Sequence, residues 1–452
     1  MRHLLRWCMA CAALLAVLVL LVWFYGVWDD VDPASREAGP GHAPEQRARG
    51  AYLARAGNCM LCHTARGGAA YAGGRAIETP FGTVFSGNIT PDLATGIGNW
   101  TPAQFWRAMH HGRSADGRLL VPAFPYDSMT LVSREHTDAL FAHLQAQPPV
   151  PRQNTAHRLR WPFNTQAALA VWRALYFRPA AFQPDASRDA SWNWGAYLVQ
   201  GLGHCNACHT TRDALGGADA RRALAGGPIP MQNWYAPSLL LASEAGVADW
   251  EPAQIVRLLQ TGVSAHASAT GPMAEVVLHS TQYLSDADLG AMAQFLKSLA
   301  PAGLPGAAAV PAARTAGTAQ AGVAAQAAGT AQAGAAARAG ATAQAGAKLY
   351  EKHCVQCHGE QGEGVAGAYP ALAGNRAVSM ANSTNLVQIV LHGGFAPATR
   401  GNPRPFGMPP YQVVLGDAEV AAVLSHIRGS WGNHAGDVSE FEVTRYRAAA
   451  VR

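Results

Sequence analysis

The pentapeptide Cys-x-x-Cys-His occurs three times in this 452-residue chain. The copies place Cys59 and Cys62 before His63, Cys205 and Cys208 before His209, and Cys354 and Cys357 before His358. Two thiols spaced this way can take up the vinyl groups of a haem as thioethers, and the adjacent imidazole then reaches the iron. A tetrahedral zinc site would need a second ligand pair at a set spacing. A thioredoxin-like redox pair would follow a strand. A helix-like segment precedes each pentapeptide here instead. Six of the eight cysteines lie in the motifs, and the other two, Cys8 and Cys11, lie in an apolar stretch. The chain is therefore expected to carry three covalently bound haem c groups and to move electrons between them.

The motifs head an internal repeat. Gly50-Ala51-Tyr52-Leu53 precedes Cys59, Gly195-Ala196-Tyr197-Leu198 precedes Cys205, and Gly346-Ala347-Lys348-Leu349-Tyr350 precedes Cys354. A mid-repeat helix follows: Trp100-Thr101-Pro102-Ala103-Gln104 echoes Trp250-Glu251-Pro252-Ala253-Gln254, and residues 385–392 are a weaker version. Proline at the first turn marks these as helix starts. Each repeat closes with an amphipathic segment, 133–144, 285–299 and 417–427, with Ser133, Ser285 and Asp417 as candidate N-caps. First and last helices packed across each other around a haem crevice define the class I cytochrome c arrangement. No run alternates convincingly as a strand. The predicted fold is all-α: three tandem class I cytochrome c domains with an N-terminal transmembrane helix. The expected divisions are an anchor or signal segment (1–34), domain 1 (42–148), an aromatic-rich strap (149–189), domain 2 (190–300), an Ala/Gly-rich linker (301–345), domain 3 (346–432) and a C-terminal tail (433–452). The strap reads as packed, with a short helix over 166–175. The low-complexity linker leaves the third domain free to move relative to the others.

Charge is mild at +5, and no basic cluster is interleaved with aromatics, which argues against nucleic acid. Arg2 and Arg6 precede an uncharged stretch from Trp7 to Trp28, and Asp29, Asp30 and Asp32 follow it. As a helix that stretch would rise ~33 Å, enough to span a bilayer core. Its charge bias orients the chain with its bulk on the periplasmic side of the inner membrane. A cleaved signal peptide is the alternative; bulky Tyr25-Gly26-Val27-Trp28 disfavours it.

Each proximal histidine leaves a sixth iron position. Methionine there raises the reduction potential relative to a second histidine. Met273 lies 12 residues before Ser285, and Met408 lies 8 before Gly416; both fit a ligand loop ahead of the closing helix. In the first repeat the corresponding residue is Phe124, which cannot bind iron. Met129 is the leading substitute, and Met109, His110, His111 and His136 are further candidates, with an open site as another outcome. Arg66, Arg75, Arg212 and Arg376 lie in loops after the motifs, as propionate partners or solvated charges. His143, His279 and His426 read as solvated or hydrogen-bonded.

These residues together resemble the triheme cytochrome c subunit of bacterial membrane-bound dehydrogenases. The resemblance spans nearly everything after the N-terminal segment. It includes Ser86-Gly87-Asn88-Ile89-Thr90-Pro91-Asp92, Thr95-Gly96-Ile97-Gly98-Asn99-Trp100, Pro122-Ala123-Phe124-Pro125-Tyr126, Gly201-Leu202-Gly203-His204-Cys205 and Tyr369-Pro370-Ala371-Leu372-Ala373-Gly374-Asn375. It implies an electron-transfer subunit, with no catalytic residues, that accepts electrons from a separate dehydrogenase subunit. That partner is of the pyrroloquinoline-quinone, flavin or molybdopterin type. The acceptor is ubiquinone or a terminal oxidase. Alcohol and gluconate types often carry Ala-Met-Pro-Tyr where this chain has Ala123-Phe124-Pro125-Tyr126, a departure that leans towards the molybdenum group. The residues leave two other readings: a haem peroxidase or small-ligand reductase using an open first haem, and an electron-donor subunit of a terminal oxidase. No dinucleotide fingerprint, nucleophile elbow or metalloprotease helix is present.

Overall fold

The computed structural model describes residues 43–299 and 343–449, and only His3, Arg6, Trp7, Met9 and Val17 of the first 42. The described residues fall into two compact units. One is drawn from Met1–Ala223 with His279–Phe295, the other from Leu224–Leu278 with Leu296–Arg452.

In the first unit, α1 (Pro44–Ala56) opens the first repeat and α2 (Cys59–His63) carries its motif. The mid-repeat helix is α3 (Pro102–His111), followed by a single turn, α4 (Tyr126–Met129), and the closing helix α5 (Arg134–Gln145). The strap contributes α6 (Gln166–Tyr176). The second repeat then starts with α7 (Ala190–Tyr197), which winds into a π-helical turn (Leu198–Leu202) before the motif helix α8 (Asn206–His209). Local chemistry explains the starts. Thr101 and Gln104 form a reciprocal capping box at α3, with Pro102 behind the cap. Ser133 caps α5 and Thr165 caps α6.

The second unit holds α9 (Pro252–Thr261) and α10 (Gly271–His279) up to Leu278, while α11 (Asp286–Lys297) lies in the first unit as far as Phe295. The third repeat starts on helical residues 343–353. It continues through α12 (Val355–His358), α13 (Arg376–Ser379), α14 (Thr384–His392) and α15 (Asp417–Gly429), and ends on α16 (Glu440–Ala449).

One glycine per repeat sets the crossing of opening and closing helices. A Cβ on Gly50 would lie 1.8 Å from the Ala139 carbonyl oxygen of α5. On Gly195 it would lie 1.9 Å from that of Ala291 in α11, and on Gly346 2.2 Å from that of Ala422 in α15. Only a residue with no side chain lets the two backbones approach this closely. The three-fold recurrence of Gly-Ala at the head of each repeat thus encodes one packing geometry.

Three expectations are corrected. The described residues are not all-α. They hold seven short strands: β1 (Ala76–Thr79) and β2 (Gly82–Phe85) in a sheet with β3 (Arg158–Leu159), a hairpin of β4 (Gly227–Ile229) and β5 (Trp234–Ala236), and a pair of β6 (Gly394–Phe395) and β7 (Gly407–Met408). The sheet is antiparallel, with Ala76 opposite Phe85 and Gly82 opposite Leu159. Strands of two to four residues are too short to show alternation in a sequence. The transmembrane helix is not supported either. Among the described residues no helix is long and apolar enough to cross a membrane. The expected span, Trp7 to Trp28, lies almost wholly outside them. The inner-membrane placement that rested on it falls with it. Lastly, Asp417 is not an N-cap but the first residue of α15; Gly416 precedes it, and its N–H donates to Glu419 Oε2 at 2.8 Å.

The tail is part of the third core. Val438 and Val443 are buried with Val387, Leu391, Val420 and Leu424. Arg447 of α16 pairs with Asp417, and Tyr446 bonds Thr384 at 2.5 Å. Residues 224–278, from the second repeat of the sequence, are bonded to the third repeat within the second unit. The Asn385 side chain pairs with both backbone groups of Tyr235, at 2.9 and 2.8 Å. Arg376 donates to the Gly246 carbonyl at 2.8 Å and pairs with Asp249.

Candidate functional site

Each motif is a single helical turn, so its two cysteines lie near one face and its histidine projects at the end. Cys59, Cys205, Cys354 and Cys357 are half-buried, and Cys62 and Cys208 open to solvent. No disulfide joins them. Burial pushes the Cys59 and Cys205 thiols up to about 12, and the neighbouring cysteine of each pair adds to the shift. Cys354 rises to about 11 for the same reasons.

The histidines are held by the backbone. His63 Nδ1 lies 2.7 Å from the Gly87 carbonyl, and His358 Nδ1 lies 3.0 Å from that of Pro370. A carbonyl can only accept, so Nδ1 carries the proton and Nε2 keeps its lone pair, the tautomer a metal ligand needs. Burial lowers both imidazoles below their ordinary value, against the pull of those carbonyls, and keeps them neutral. Gly87 and Pro370 belong to Ser86-Gly87-Asn88 and Tyr369-Pro370-Ala371. Those strings therefore hold the imidazoles. His209 is half-buried at the end of α8.

Two arginines take a role that sequence reasoning missed. Arg75 Nη1 donates to the Leu61 carbonyl at 3.0 Å, and Arg212 Nη2 donates to the Ala207 carbonyl at 3.0 Å. Leu61 and Ala207 hold the same place, just before the second cysteine. The arginines sit at different distances from their motifs in sequence, which hid the equivalence. Arg376 instead ties Asp249 and Gly246 to the third repeat.

The methionine candidates differ. Met408 lies in β7, half-buried against the third core, with Gly394 opposite. Met273 is not in a loop: it sits in the first turn of α10, where Gly271 at φ +52° and Pro272 start the helix. It belongs to the second unit and His209 to the first. Met129 is only 4% exposed, in the turn α4 that packs on the π-helical turn. Met109 is buried in α3. Phe124 is half-buried two residues from Tyr126. Other histidines are engaged: His136 Nδ1 bonds the Tyr197 hydroxyl at 2.7 Å, His110 stacks on Trp106, and His111 meets His110 edge-on. His143 packs on Tyr71 and His426 on Trp431.

A covalent haem fits these residues. No disulfide joins the thiols, and the His63 and His358 imidazoles, with Nδ1 on a backbone carbonyl, keep the Nε2 lone pair for a metal.

Comparison with known proteins agrees. Residues 343–431 match the cytochrome c family. The chain is 39% identical over 411 residues to the cytochrome c subunit of the quinone alcohol dehydrogenase of Gluconacetobacter polyoxogenes, covering 88% of this chain and 83% of that one. It is 38% identical over 396 residues to the gluconate 2-dehydrogenase cytochrome c subunit of Pantoea cypripedii, covering 86% of each. The chain belongs to the family of dehydrogenase cytochrome c subunits. As such it is an electron-transfer subunit rather than a catalytic one, and its haem is covalently bound haem c. A third relative, a subunit of the nicotinate dehydrogenase of Pseudomonas putida, is 38% identical over 408 residues, 89% of this chain but 32% of that one.

Proposed function

We propose that this cytochrome subunit carries three haem c groups and relays electrons from a dehydrogenase catalytic subunit to ubiquinone or a terminal oxidase. Cys59 and Cys62, Cys205 and Cys208, and Cys354 and Cys357 form the thioethers. His63, His209 and His358 are the proximal ligands. Met273 and Met408 are the second ligands at the second and third sites, and Met129 is the candidate at the first. The observation that carries the reading is the repetition of one arrangement: a one-turn cysteine helix followed by a histidine, with Nδ1 seated on a carbonyl at the first and third copies. The three haem domains are residues 42–148, 190–300 and 346–432, joined by the strap and the low-complexity linker.

When bound, haem c supplies a one-electron couple whose potential follows its axial ligands and burial. The protein's part is to hold ligands still. Gly87 and Pro370 fix two imidazole planes, and Arg75 and Arg212 pin two motif helices. Leu53, Leu140, Val387 and Leu424 are buried in the cores of the helices that hold the motifs. Relatives named for alcohol, gluconate and nicotinate oxidation support a partner from the alcohol-, sugar-acid- or N-heteroaromatic-oxidising enzymes, of quinone-cofactor, flavin or molybdopterin type. The test is gentle purification of the tagged, full-length protein, followed by addition of each substrate class. A stoichiometric dehydrogenase subunit, and reduction of the haem absorption by its substrate, are expected. Recovery of the cytochrome alone, inert to every substrate class, would overturn the proposal.

A further inference from the structure

The first two repeats share more than a motif. Gly50-Ala51-Tyr52-Leu53 and Gly195-Ala196-Tyr197-Leu198 occupy equivalent places, as do Ser133 and Ser285 ahead of the closing helices. In each case the glycine packs on its own repeat's closing helix. The tyrosine does the opposite and reaches the other repeat.

Tyr52 OH accepts the Ser285 N–H at 3.0 Å and donates to the Asp288 carboxylate. Tyr197 OH accepts the Ser133 N–H at 3.1 Å and meets His136 Nδ1 at 2.7 Å. Asp288 stands three residues after Ser285, and His136 three after Ser133. Each tyrosine therefore caps the start of the partner repeat's closing helix through the same two positions. The residues before the two glycines meet each other: the Arg49 guanidinium lies 5.5 Å from the Trp194 ring centre. Arg49 also reaches His136 at 3.2 Å, and Trp194 Nε1 donates to Asp288 at 2.5 Å. Residue i touching j′ while i′ touches j is the signature of an isologous, two-fold interface.

The same relation brings the motif entrances together. Asn58 and His204, each just before a motif, adopt positive φ of +50° and +40°. His204 Nε2 lies 3.3 Å from the Gly57 carbonyl, and Ser280 Oγ donates to the Ala56 carbonyl at 3.1 Å.

We propose that the first two repeats form one two-fold-related redox module, in which an electron passes directly between the haem groups of the Cys59 and Cys205 motifs at a separation fixed by the Tyr52/Tyr197 exchange. This rests on the haem assignment above. The transfer moves one electron, which one site loses as the other gains it, with no proton or ligand moved. Tunnelling falls steeply with distance and coupling depends on orientation. Tyr52 and Tyr197 are thus positioning residues, acting through the helices they cap.

The experiment is Soret circular dichroism of the full-length holoprotein and of Tyr52→Phe, Tyr197→Phe and the double variant, with Tyr350→Phe in the third repeat as control. Haem content is measured on each sample. Two haems held close in fixed orientation give a bisignate Soret couplet. The wild type is expected to show it. The double variant should lose roughly half its amplitude at unchanged haem content, because a loss of ~1 Å or 10–20° of positioning is enough to disturb such a site. Tyr350→Phe should retain it. A wild type with haem at both motifs and no couplet overturns the pairing, as does a double variant with an unchanged couplet. Absence of haem from either motif overturns the haem assignment instead. If the double variant does not fold, Asp288→Asn replaces it: a weakened couplet is again expected, and an unchanged one again overturns the pairing.

Discussion

The tyrosine at the head of each repeat behaves differently in the two units. In the first, Tyr52 and Tyr197 turn outward and cap each other's closing helices. In the second, Tyr350 turns inward: its hydroxyl donates to the Gly359 carbonyl at 2.7 Å, one residue past its own motif, and the ring packs on Trp431. The same residue type in nearly the same place joins two repeats in one case and closes a repeat on itself in the other. The third repeat instead draws its support from α16, from the buried Arg428 and from residues 224–278. A repeat that is paired and one that is self-closed should fail in different ways.

The largest expected effect is common to both units and tests the shared geometry. Gly50→Ala, Gly195→Ala and Gly346→Ala each force a Cβ into a closing-helix carbonyl, and each should cost about 3 kcal/mol, net of the helix propensity alanine gains. Gly290→Ala, in α11 with nothing near its Cβ, should instead stabilise by roughly 0.5–1 kcal/mol. Thermal denaturation reads both signs. Equal cost in all four would break the account of the crossings.

Arg428 separates the units. It is 2% exposed and donates to the Gly436, Val378 and Met380 carbonyls at 2.6, 2.7 and 2.8 Å. Arg428→Met leaves those acceptors buried and unpaired, so a loss of about 2–4 kcal/mol is expected, confined to the unit that holds the third repeat. Hydrogen exchange resolved along the chain would show protection falling around 343–449, with 44–145 unchanged. Loss in both regions would contradict separate support.

Tyr350→Phe removes one internal hydrogen bond and should cost about 1 kcal/mol, read in the third repeat alone. The smallest effect is a pH dependence. The hydrogen bond from Arg376 holds the Asp249 carboxyl below its ordinary value. A depressed folded value means that the stabilisation is present above the ordinary carboxylate pKa and is lost as the pH falls through the folded one. With Asp249 57% exposed, its worth is a few tenths of a kcal/mol. Asp249→Asn should flatten the acid limb of stability in the second unit by about that amount. An unchanged limb would remove the pair from the account.

Motifs, repeats and helices were legible because each has a local signature. The cysteine pairs, the Pro102 and Pro252 helix starts and the Ser133 and Ser285 caps are all read within a few residues. The strap was legible as packed from its aromatics, Trp161, Trp172, Tyr176 and Phe177. The strands were not, since two to four residues carry no period. Nor was α16, where Val443 is the buried anchor among charged neighbours. Met273 was misplaced because a Gly-Pro pair reads as a loop and also opens a helix. The tyrosine exchange and the Arg75–Leu61 and Arg212–Ala207 contacts join distant positions, which periodicity cannot register. Phe124 stands where the register of the other repeats expects a ligand, so Met129 was named in its place from the sequence; it lies buried in α4 beside the π-helical turn.

The central claim is that all three motifs carry haem in one chain. The most direct test is the intact mass of the mature holoprotein, with peptide mapping of the haem-bearing fragments. The account predicts three haem additions, one each on the peptides holding Cys59 and Cys62, Cys205 and Cys208, and Cys354 and Cys357. A fully matured chain with any of these cysteine pairs unmodified would contradict it.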